Sequence, residues 1–397
     1  MKDHRQIGRE QDLFSFHELA PGAIFWHPKG WIIYKILQDF IRQKTAEDGY
    51  LEISTPVMVK SQLFVQSGHW KHFGEHNMFN LIVDEESYSL KPMNCPEAAL
   101  VFSAHTRSYT DLPIKLSEFG ILHRRELSGV LGGAFRVRQF MIDDAHLFVR
   151  ADQIQDEIRK LILLTANIYK SLAFKPKFYL ATKPDKAMGD KKTWDEAERD
   201  LEKALKDTKV KFQLKPKDGA FYGPKIDIHI DDAQGRDWQL ATTQLDFQIP
   251  QKMNLNYTTR EGKKEKPVMI HQGIFGSFER FIAILTEHFQ GAFPVWLAPI
   301  QIIVIPISDK NSKYARDVFE DLSKAGIRVE LDIRAQTLQA KIRDATLQKI
   351  PYMVICGAAE EKVSKIALRT REGKDLGQMS QDSFLVKIKK ETEGKTI

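Results

Sequence analysis

Residues 117–150 read SEFGILHRRELSGVLGGAFRVRQFMIDDAHLFVR. An apolar lead-in reaches His123-Arg124-Arg125-Glu126, and a loop with Gly129, Gly132 and Gly133 follows. The chain then returns through Arg136, Arg138 and Phe140 to Asp143-Asp144-Ala145-His146. The pattern predicts a hairpin: two extended arms, a glycine-rich turn, and charged side chains facing one groove. Arginines on both arms suit a polyanion such as a nucleoside triphosphate, because a guanidinium fork grips phosphate oxygens in pairs. An aromatic between them can stack on a base. A hairpin whose arginines only solvate its outer face carries the same pattern.

Arg124-x-Glu126, a loop, then Arg136-x-x-x-Phe140 resembles motif 2 of the class II aminoacyl-tRNA synthetases. With RVR, DDAH and the upstream Met93-Asn94-Cys95-Pro96, the spelling is similar to that of the threonyl-tRNA synthetase family. The likeness runs from about Asp3 to the C-terminal segment. It implies an architecture of α/β and α+β parts. An antiparallel-sheet catalytic domain is expected over residues 1–297, and a small α/β anticodon-binding domain over 298–397. The resemblance further implies that Arg124 binds the α-phosphate of ATP, Glu126 the adenine amino group and Arg136 the γ-phosphate. Phe140 would stack on adenine.

The 397 residues suffice for two or three domains with ample core. Apolar residues make up 42% and charged residues 28%, as in ordinary globular proteins. No run of 18 apolar residues exists and the N-terminus MKDHRQIGREQD is charged, so neither a membrane span nor a signal peptide is expected. The two cysteines, Cys95 and Cys356, give no disulfide framework and suit a reducing, cytoplasmic location. The net charge is +6, and residues 301–397 hold 18 Lys and Arg against 14 Asp and Glu. That excess fits a module facing nucleic acid, and equally an ordinary soluble surface.

From Gly30 onward Ile33, Ile36, Leu37, Phe40 and Ile41 recur at helical spacing, and the helix should stop by Asp48-Gly49. A short strand, Tyr50 to Ile53, ends at Ser54-Thr55-Pro56. Helix, strand and Pro resemble motif 1, which implies a homodimer through this region. His69 follows in Gly68-His69-Trp70. A lone His beside Trp is ordinarily structural, but the family resemblance implies a catalytic part in deprotonating the tRNA ribose hydroxyl, for which an imidazole is apt. Tyr88 to Cys95 reads as a strand entering a turn, then a helix begins at Pro96. The family usually has Gly-His where Glu97-Ala98 stands. Asp152 to Lys170 is amphipathic, and Thr193-x-x-Glu196 reads as a capping box for a later helix.

Ala220-Phe221-Tyr222-Gly223-Pro224-Lys225 is a further family match and implies that Tyr222 and Lys225 face the amino-acid pocket. The strand Trp238 to Phe247 follows. By the resemblance, Gln239 and Thr242 meet the nucleotide, while Gln244 and Ala241 line the amino-acid pocket. The family usually carries Gly where Ala241 stands. Met269 to Arg280 resembles motif 3, with Gly276 allowing a close approach to ATP and Arg280 meeting the γ-phosphate. The family often has Arg in place of Gln272. Past Trp296-Leu297-Ala298-Pro299 strands and helices alternate, from Ile302 to Cys356, which predicts a mostly parallel or mixed sheet. There, Glu360, Arg369 and Arg371 lie in stretches resembling the family's anticodon contacts. Ala358-Ala359, Gln336 and Gln339 depart from the usual residues nearby.

Cys95, His146 and His271 match the family's zinc ligands; their separations alone give no warrant for a metal. Three protein ligands imply an open, substrate-binding Zn²⁺, one per chain. The metal would take the amine and hydroxyl of L-threonine, with Asp144 accepting from that hydroxyl. Valine would leave metal and carboxylate unpaired. Ile142 replaces the family's usual Gln beside this site. The expected reaction is ATP-dependent formation of threonyl-adenylate, with Mg²⁺ on the phosphates, and transfer to tRNA(Thr). No HxxxH-like cluster precedes residue 60, so no cis editing is expected. The alternatives are a synthetase-like paralogue that binds tRNA without catalysis, and a ligase loading a non-tRNA acceptor.

Overall fold

The computed structural model describes residues 1–395, leaving aside the side chains of His72, Phe73 and Glu75. The chain divides into two compact units. One comprises Phe16–Ile24 and Gln38–Ala283; the other comprises Met1–Ser15, Phe25–Leu37 and Ile284–Ile397. Among the described residues no helix is long and apolar enough to cross a membrane.

The larger unit is built on a sheet of eight strands among the described residues. They are β1 (Leu51–Glu52), β2 (Ile114–His123), β3 (Gln139–Val149), β4 (Lys177–Ala181), β5 (Phe212–Lys215), β6 (Lys225–Asp231), β7 (Asp237–Asp246) and β8 (Val268–Ser277). Their order is β5-β4-β6-β7-β8-β3-β2-β1. The pairs from β4 to β2 are antiparallel, while β1 on β2 and β5 on β4 at the edges are parallel. Five central strands carry buried apolar runs such as Leu147-Phe148-Val149 and Met269-Ile270, because helices cover the face that the site does not use.

The helix α1 (Pro28–Glu47) buries Ile33, Leu37, Phe40 and Ile41, the stripe its spacing predicts. Phe40 stacks on Phe275 with ring centroids 6.5 Å apart. The helix α2 (Cys95–Ser103) starts at Cys95 with Pro96 in its first turn, where the missing N–H is harmless. The helix α3 (Ile154–Ser171) lays Ile158, Leu161, Ile162 and Ile168 onto the sheet with none more than slightly exposed. Burial of each is worth about 1.5–3 kcal/mol. The helix α4 (Lys191–Asp207) packs on α3. Its cap differs from the sequence reading: Asp190, not Thr193, is the N-cap, and its carboxylate accepts the Thr193 N–H at 2.9 Å. Thr193 lies inside the first turn. The helix α5 (Phe278–His288) continues directly from β8.

The predicted hairpin is β2–β3, paired from Ile114↔Phe148 to His123↔Gln139. Its arms are shorter than expected. Arg124, Glu126, Arg136 and Arg138 sit in the connecting loop, tethered to it by one further bond, Arg124 N–H to Arg138 O at 2.8 Å. Loop placement releases these side chains from the pleat's strict alternation. The expected strand over Tyr50 to Ile53 is likewise only Leu51–Glu52.

The other unit holds a sheet of five strands among the described residues: β9 (Ile302–Pro306), β10 (Val329–Leu331), β11 (Tyr352–Cys356), β12 (Ile366–Thr370) and β13 (Asp375–Met379). The order is β10-β9-β11-β12-β13. The first three are parallel and the last two antiparallel, so the sheet is mixed. The helices α6 (Ser312–Lys324), α7 (Leu338–Leu347) and α8 (Gln381–Glu393) complete it. Val304, Val318, Leu322, Val354, Leu368 and Phe384 form its core.

Candidate active site

Sheet register assembles what the sequence scatters. His146 on β3 is paired with His271 on β8, and His271 with Gln244 on β7. Three adjacent strands thus bring these side chains to one place. Asp144, two residues before His146, shares its face. Cys95 enters from the start of α2. The sulfur and one nitrogen from each histidine lie within 4.8 Å of one another, and all three residues are buried. The cavity around them measures about 470 Å³. Its wall includes His69, Arg124, Asp144, Tyr222, Lys225, Thr242 and Gln244.

The local chemistry of the trio suits a metal. His146 Nε2 is buried with no hydrogen-bond partner among the described residues. Burial, with the nearby charges of His271 and Lys91, holds its pKa well below the usual value, so the ring is neutral. His271 Nε2 pairs with Asp246 Oδ2 at 3.0 Å, which leaves its other nitrogen for a ligand. Burial pushes the Cys95 thiol far up, and the nearby carboxylates of Asp144, Glu97 and Asp246 add to this; a cation reverses that balance. One Cys and two His form a borderline-soft donor set that fits Zn²⁺.

Around the trio, polar side chains are held in place. Asp144 accepts from Asn94 Nδ2 at 3.1 Å, and burial pushes its carboxyl up to about 6. Tyr222 donates its hydroxyl to Gln244 Oε1, and Gln244 Nε2 donates to Thr242 Oγ1 at 3.0 Å. Lys225 pairs with Asp227, whose other oxygen accepts from Gln239 Nε2 at 2.8 Å. His69 is buried, with Nδ1 2.8 Å from Ser67 Oγ and Nε2 3.5 Å from Cys95 Sγ.

Arg124 links this cavity to a second group. Its guanidinium lies over the Phe140 ring at 5.2 Å, and its Nε donates to Pro92 O at 3.2 Å. Phe140 is buried beside Leu122 and Val137. Arg136 pairs with Glu126 at 2.9 Å, and Arg280 Nε donates to Phe135 O at 2.9 Å. Mutual repulsion with Arg136 adds to the burial that lowers the Arg280 pKa. Gly276, with φ of +69°, lets the β8–α5 junction turn where a Cβ would meet Leu240 O at 3.1 Å.

Some expected residues stand elsewhere. Ala241 is fully buried and is not part of the cavity wall; Leu240 lines it instead. Leu240 alternates with Thr242 and Gln244 on the face that lines the cavity, and Ala241 belongs to the other face. Ile142 does line the cavity, as does Gln272, which donates to Thr165 Oγ1 at 3.0 Å. Glu97 is buried with neither carboxylate oxygen hydrogen-bonded among the described residues, and burial pushes it up to about 8. In the smaller unit Glu360 accepts from Gly357 N–H at 3.1 Å and Gln378 Nε2 at 2.6 Å. Arg371 donates to Phe293 O at 2.6 Å and Lys349 O at 3.3 Å. Arg369 has a buried Nε without a partner among the described residues.

Sequence reading missed the residues that hold the others: Asn94, Asp227, Asp246 and Phe135. Asn94 and Phe135 were within quoted motifs. Asp227 shares a strand face with Lys225, a period-two signal. Asp246 shares the face of Thr242 and Gln244 by the same period, and reaches His271 across the sheet.

The description of the class II core domain of tRNA synthetases (G, H, P, S and T) matches residues 79–289, and that of an anticodon binding domain matches 301–391. A threonine–tRNA ligase of Caldanaerobacter subterraneus subsp. tengcongensis is 49% identical over 396 residues, covering 100% of this chain and 61% of the relative. That of Clostridium tetani is 46% identical, covering 100% and 62%. The chain therefore spans about three-fifths of the length of these curated relatives. A crystal structure of the RNA binding domain of threonyl-tRNA synthetase from Cryptosporidium parvum Iowa II superposes with a TM-score of 0.95 at 41% identity, covering 98% of each chain. Prolyl-tRNA synthetase of Cryptosporidium parvum shares the fold, with a TM-score of 0.75 at 18% identity over 98% of this chain and 74% of that one. Core, anticodon-binding part and whole-chain likeness agree: the chain belongs to the class II tRNA synthetases, in the threonyl-tRNA synthetase family.

Proposed function

We propose that the protein activates L-threonine with ATP and transfers the threonyl group to the 3′ end of tRNA(Thr). The observation that carries this reading is the convergence of Cys95, His146 and His271 with Asp144 in one buried cavity that also admits Arg124. A Zn²⁺ held by the three would supply a Lewis acid for an amine and a neighbouring hydroxyl. Asp144, steadied by Asn94, accepts the hydrogen bond of the β-hydroxyl. Valine has the shape but not the oxygen and leaves that carboxylate unsatisfied. Tyr222, Lys225 and Gln244 surround the rest of the amino acid.

In the activation step a threonine carboxylate oxygen attacks the α-phosphorus, and the bond from phosphorus to pyrophosphate breaks. Arg124 neutralises the α-phosphate, while Arg136 and Arg280 take the γ-phosphate; Mg²⁺ arriving with ATP would add positive charge for the leaving pyrophosphate. Glu126 accepts from the adenine amino group, Phe140 lies against the base, and Gln239 and Thr242 bound the nucleotide. Since Glu126 and Arg136 pair with each other now, ATP must part them, which makes one ion pair a placeholder for two ligand contacts. His69 is the base for the ribose hydroxyl in transfer. Residues 1–297 serve the chemistry, and 298–397 read the anticodon through Glu360, Arg369 and Arg371. A homodimer through α1 and the exposed edge at Leu51, and a cytoplasmic location, belong to the same proposal.

Threonine-dependent ATP–pyrophosphate exchange, followed by charging of tRNA(Thr), tests it. Exchange that is absent, or that valine supports as well as threonine, defeats it. Exchange without charging points to an acceptor other than tRNA.

A further inference from the structure

Arg280 is oriented by a backbone carbonyl on a loop. Its Nε–H donates to Phe135 O at 2.9 Å, and Phe135 belongs to the segment joining β2 to β3. Gly132 and Gly133 stand just before it, so the loop has little stiffness of its own. The loop is closed on itself by Phe135 N–H to Gly132 O at 3.0 Å and Gly132 N–H to Arg136 O at 3.2 Å, and the Phe135 side chain ties it to the sheet. Its ring lies on Trp238 at the start of β7, with centroids 4.6 Å apart and planes inclined by 32°. The Arg236 guanidinium covers both rings, 5.3 Å from Phe135 and 5.2 Å from Trp238.

These partners are themselves anchored. Asp232 accepts from Arg236 Nε at 2.6 Å and from Trp238 Nε1 at 2.8 Å. The same carboxylate accepts the backbone N–H groups of Gln234 at 2.8 Å and Arg236 at 3.0 Å. One buried carboxylate in the β6–β7 turn therefore holds an indole and a guanidinium. Those two hold a phenyl ring, and the carbonyl of that residue holds Arg280. Phe135 is only partly buried, so core packing does not account for an aromatic there.

We propose that Phe135 is a positioning residue for the nucleotide: pinned by Trp238 and Arg236, it aims Arg280 at the phosphates before ATP arrives. The proposal deepens the ATP-dependent reading above and rests on it. A guanidinium that is already oriented loses less freedom when it meets phosphate. Removing the ring frees the carbonyl and returns that cost to ATP binding.

The test titrates a non-hydrolysable ATP analogue with Mg²⁺ into the whole chain by calorimetry. Phe135→Ala is expected to weaken binding about 5–30-fold, the scale of one aromatic stack plus one cation–π contact. Phe135→Tyr, which keeps the ring, should bind within about twofold of wild type. In an Arg280→Ala background, Phe135→Ala should add less than about twofold, because residues acting through one another are not additive. In the exchange reaction KM for ATP should rise and KM for threonine should stay. Wild-type affinity in Phe135→Ala, or losses that add fully with Arg280→Ala, overturns the proposal. If Phe135→Ala does not fold, Arg236→Lys keeps the charge but loses the planar stack; a loss of ATP affinity of at least about twofold supports the proposal and no loss overturns it. Analogue binding by a wild type that shows no threonine-dependent exchange defeats the threonine reading alone and leaves the binding cycle to decide. No analogue binding by the wild type removes both.

Discussion

The Nε2 atom of His146 is buried beside two other donor atoms and has no hydrogen-bond partner among the described residues. A buried polar atom left unpaired costs about 1–3 kcal/mol, and a metal ion removes that cost. Chelator-free protein is therefore expected to carry zinc, one ion per chain, by elemental analysis. Asp246→Asn should weaken the metal about 10–100-fold, because Asp246 fixes the His271 ring without touching the ion's place. Stoichiometric zinc in Cys95→Ala protein would remove the assignment. The three residue types were legible in the sequence only through family resemblance. Their convergence depends on the register of β3 against β8, which no spacing encodes. Asp143, on the opposite face of β3, gives a second expectation. Burial pushes it up to about 8, against the N–H groups of Ile274 and Phe275 that it accepts at 3.0 and 2.8 Å. An acid whose folded pKa lies above its unfolded value holds its proton longer in the folded state. Stability from this group is thus full below about pH 4 and declines as pH rises to about 8. Denaturant unfolding across that range should show wild type falling relative to Asp143→Asn. A gap that widens in wild type's favour would mean the two N–H donors outweigh burial.

At the scale of elements, caps and junctions set where the chain turns toward the site. Asp190 closes the N-terminus of α4 through the Thr193 N–H, and Thr193 Oγ1 donates back to it at 2.8 Å. Asp190→Ala is expected to destabilise the protein measurably, and Thr193→Ala by less, read from thermal or urea unfolding. The reverse order would restore Thr193 as the cap. The sequence could not separate the two, since both are good caps three residues apart. Longer elements were readable because their periodicity is their packing. The Ile33 to Ile41 stripe is the buried face of α1, and β8 runs into α5 at Gly276 as the glycine suggested. The β2–β3 loop was less readable. Arginines in a loop and arginines on strand ends look alike in sequence, and only the pairing limit at His123↔Gln139 distinguishes them. Ala241 fails for a simpler reason: strand alternation puts Leu240 with Thr242 and Gln244 on the cavity face and Ala241 on the other, and the family resemblance named the residue without regard to that period.

For the molecule as a whole, the β9–β13 unit has its own core, and the proposed anticodon residues sit in unlike surroundings there. Arg371 is engaged with the carbonyls of Phe293 and Lys349. Arg369 keeps a buried Nε–H without an acceptor among the described residues, and the residue is only partly buried, so the rest of its guanidinium can donate to a base edge or a backbone oxygen of RNA. The antiparallel strands β12 and β13, which carry or adjoin both, lay beyond the alternation read from the sequence, so their contrast was not visible there. If Arg369 reads the anticodon, its loss should cost about 1–3 kcal/mol of recognition, or roughly 5–150-fold in kcat/KM for tRNA. Arg369→Ala should leave threonine-dependent pyrophosphate exchange and the melting temperature near wild type, since the replaced Nε–H satisfies nothing inside the protein. Arg371→Ala should behave differently and lower the melting temperature, because two contacts to backbone carbonyls go with it. Charging kinetics, exchange kinetics and melting of the two variants, measured side by side, separate recognition from support. Equal loss of charging and exchange in Arg369→Ala would show that this residue supports the fold, and would withdraw it from the RNA surface.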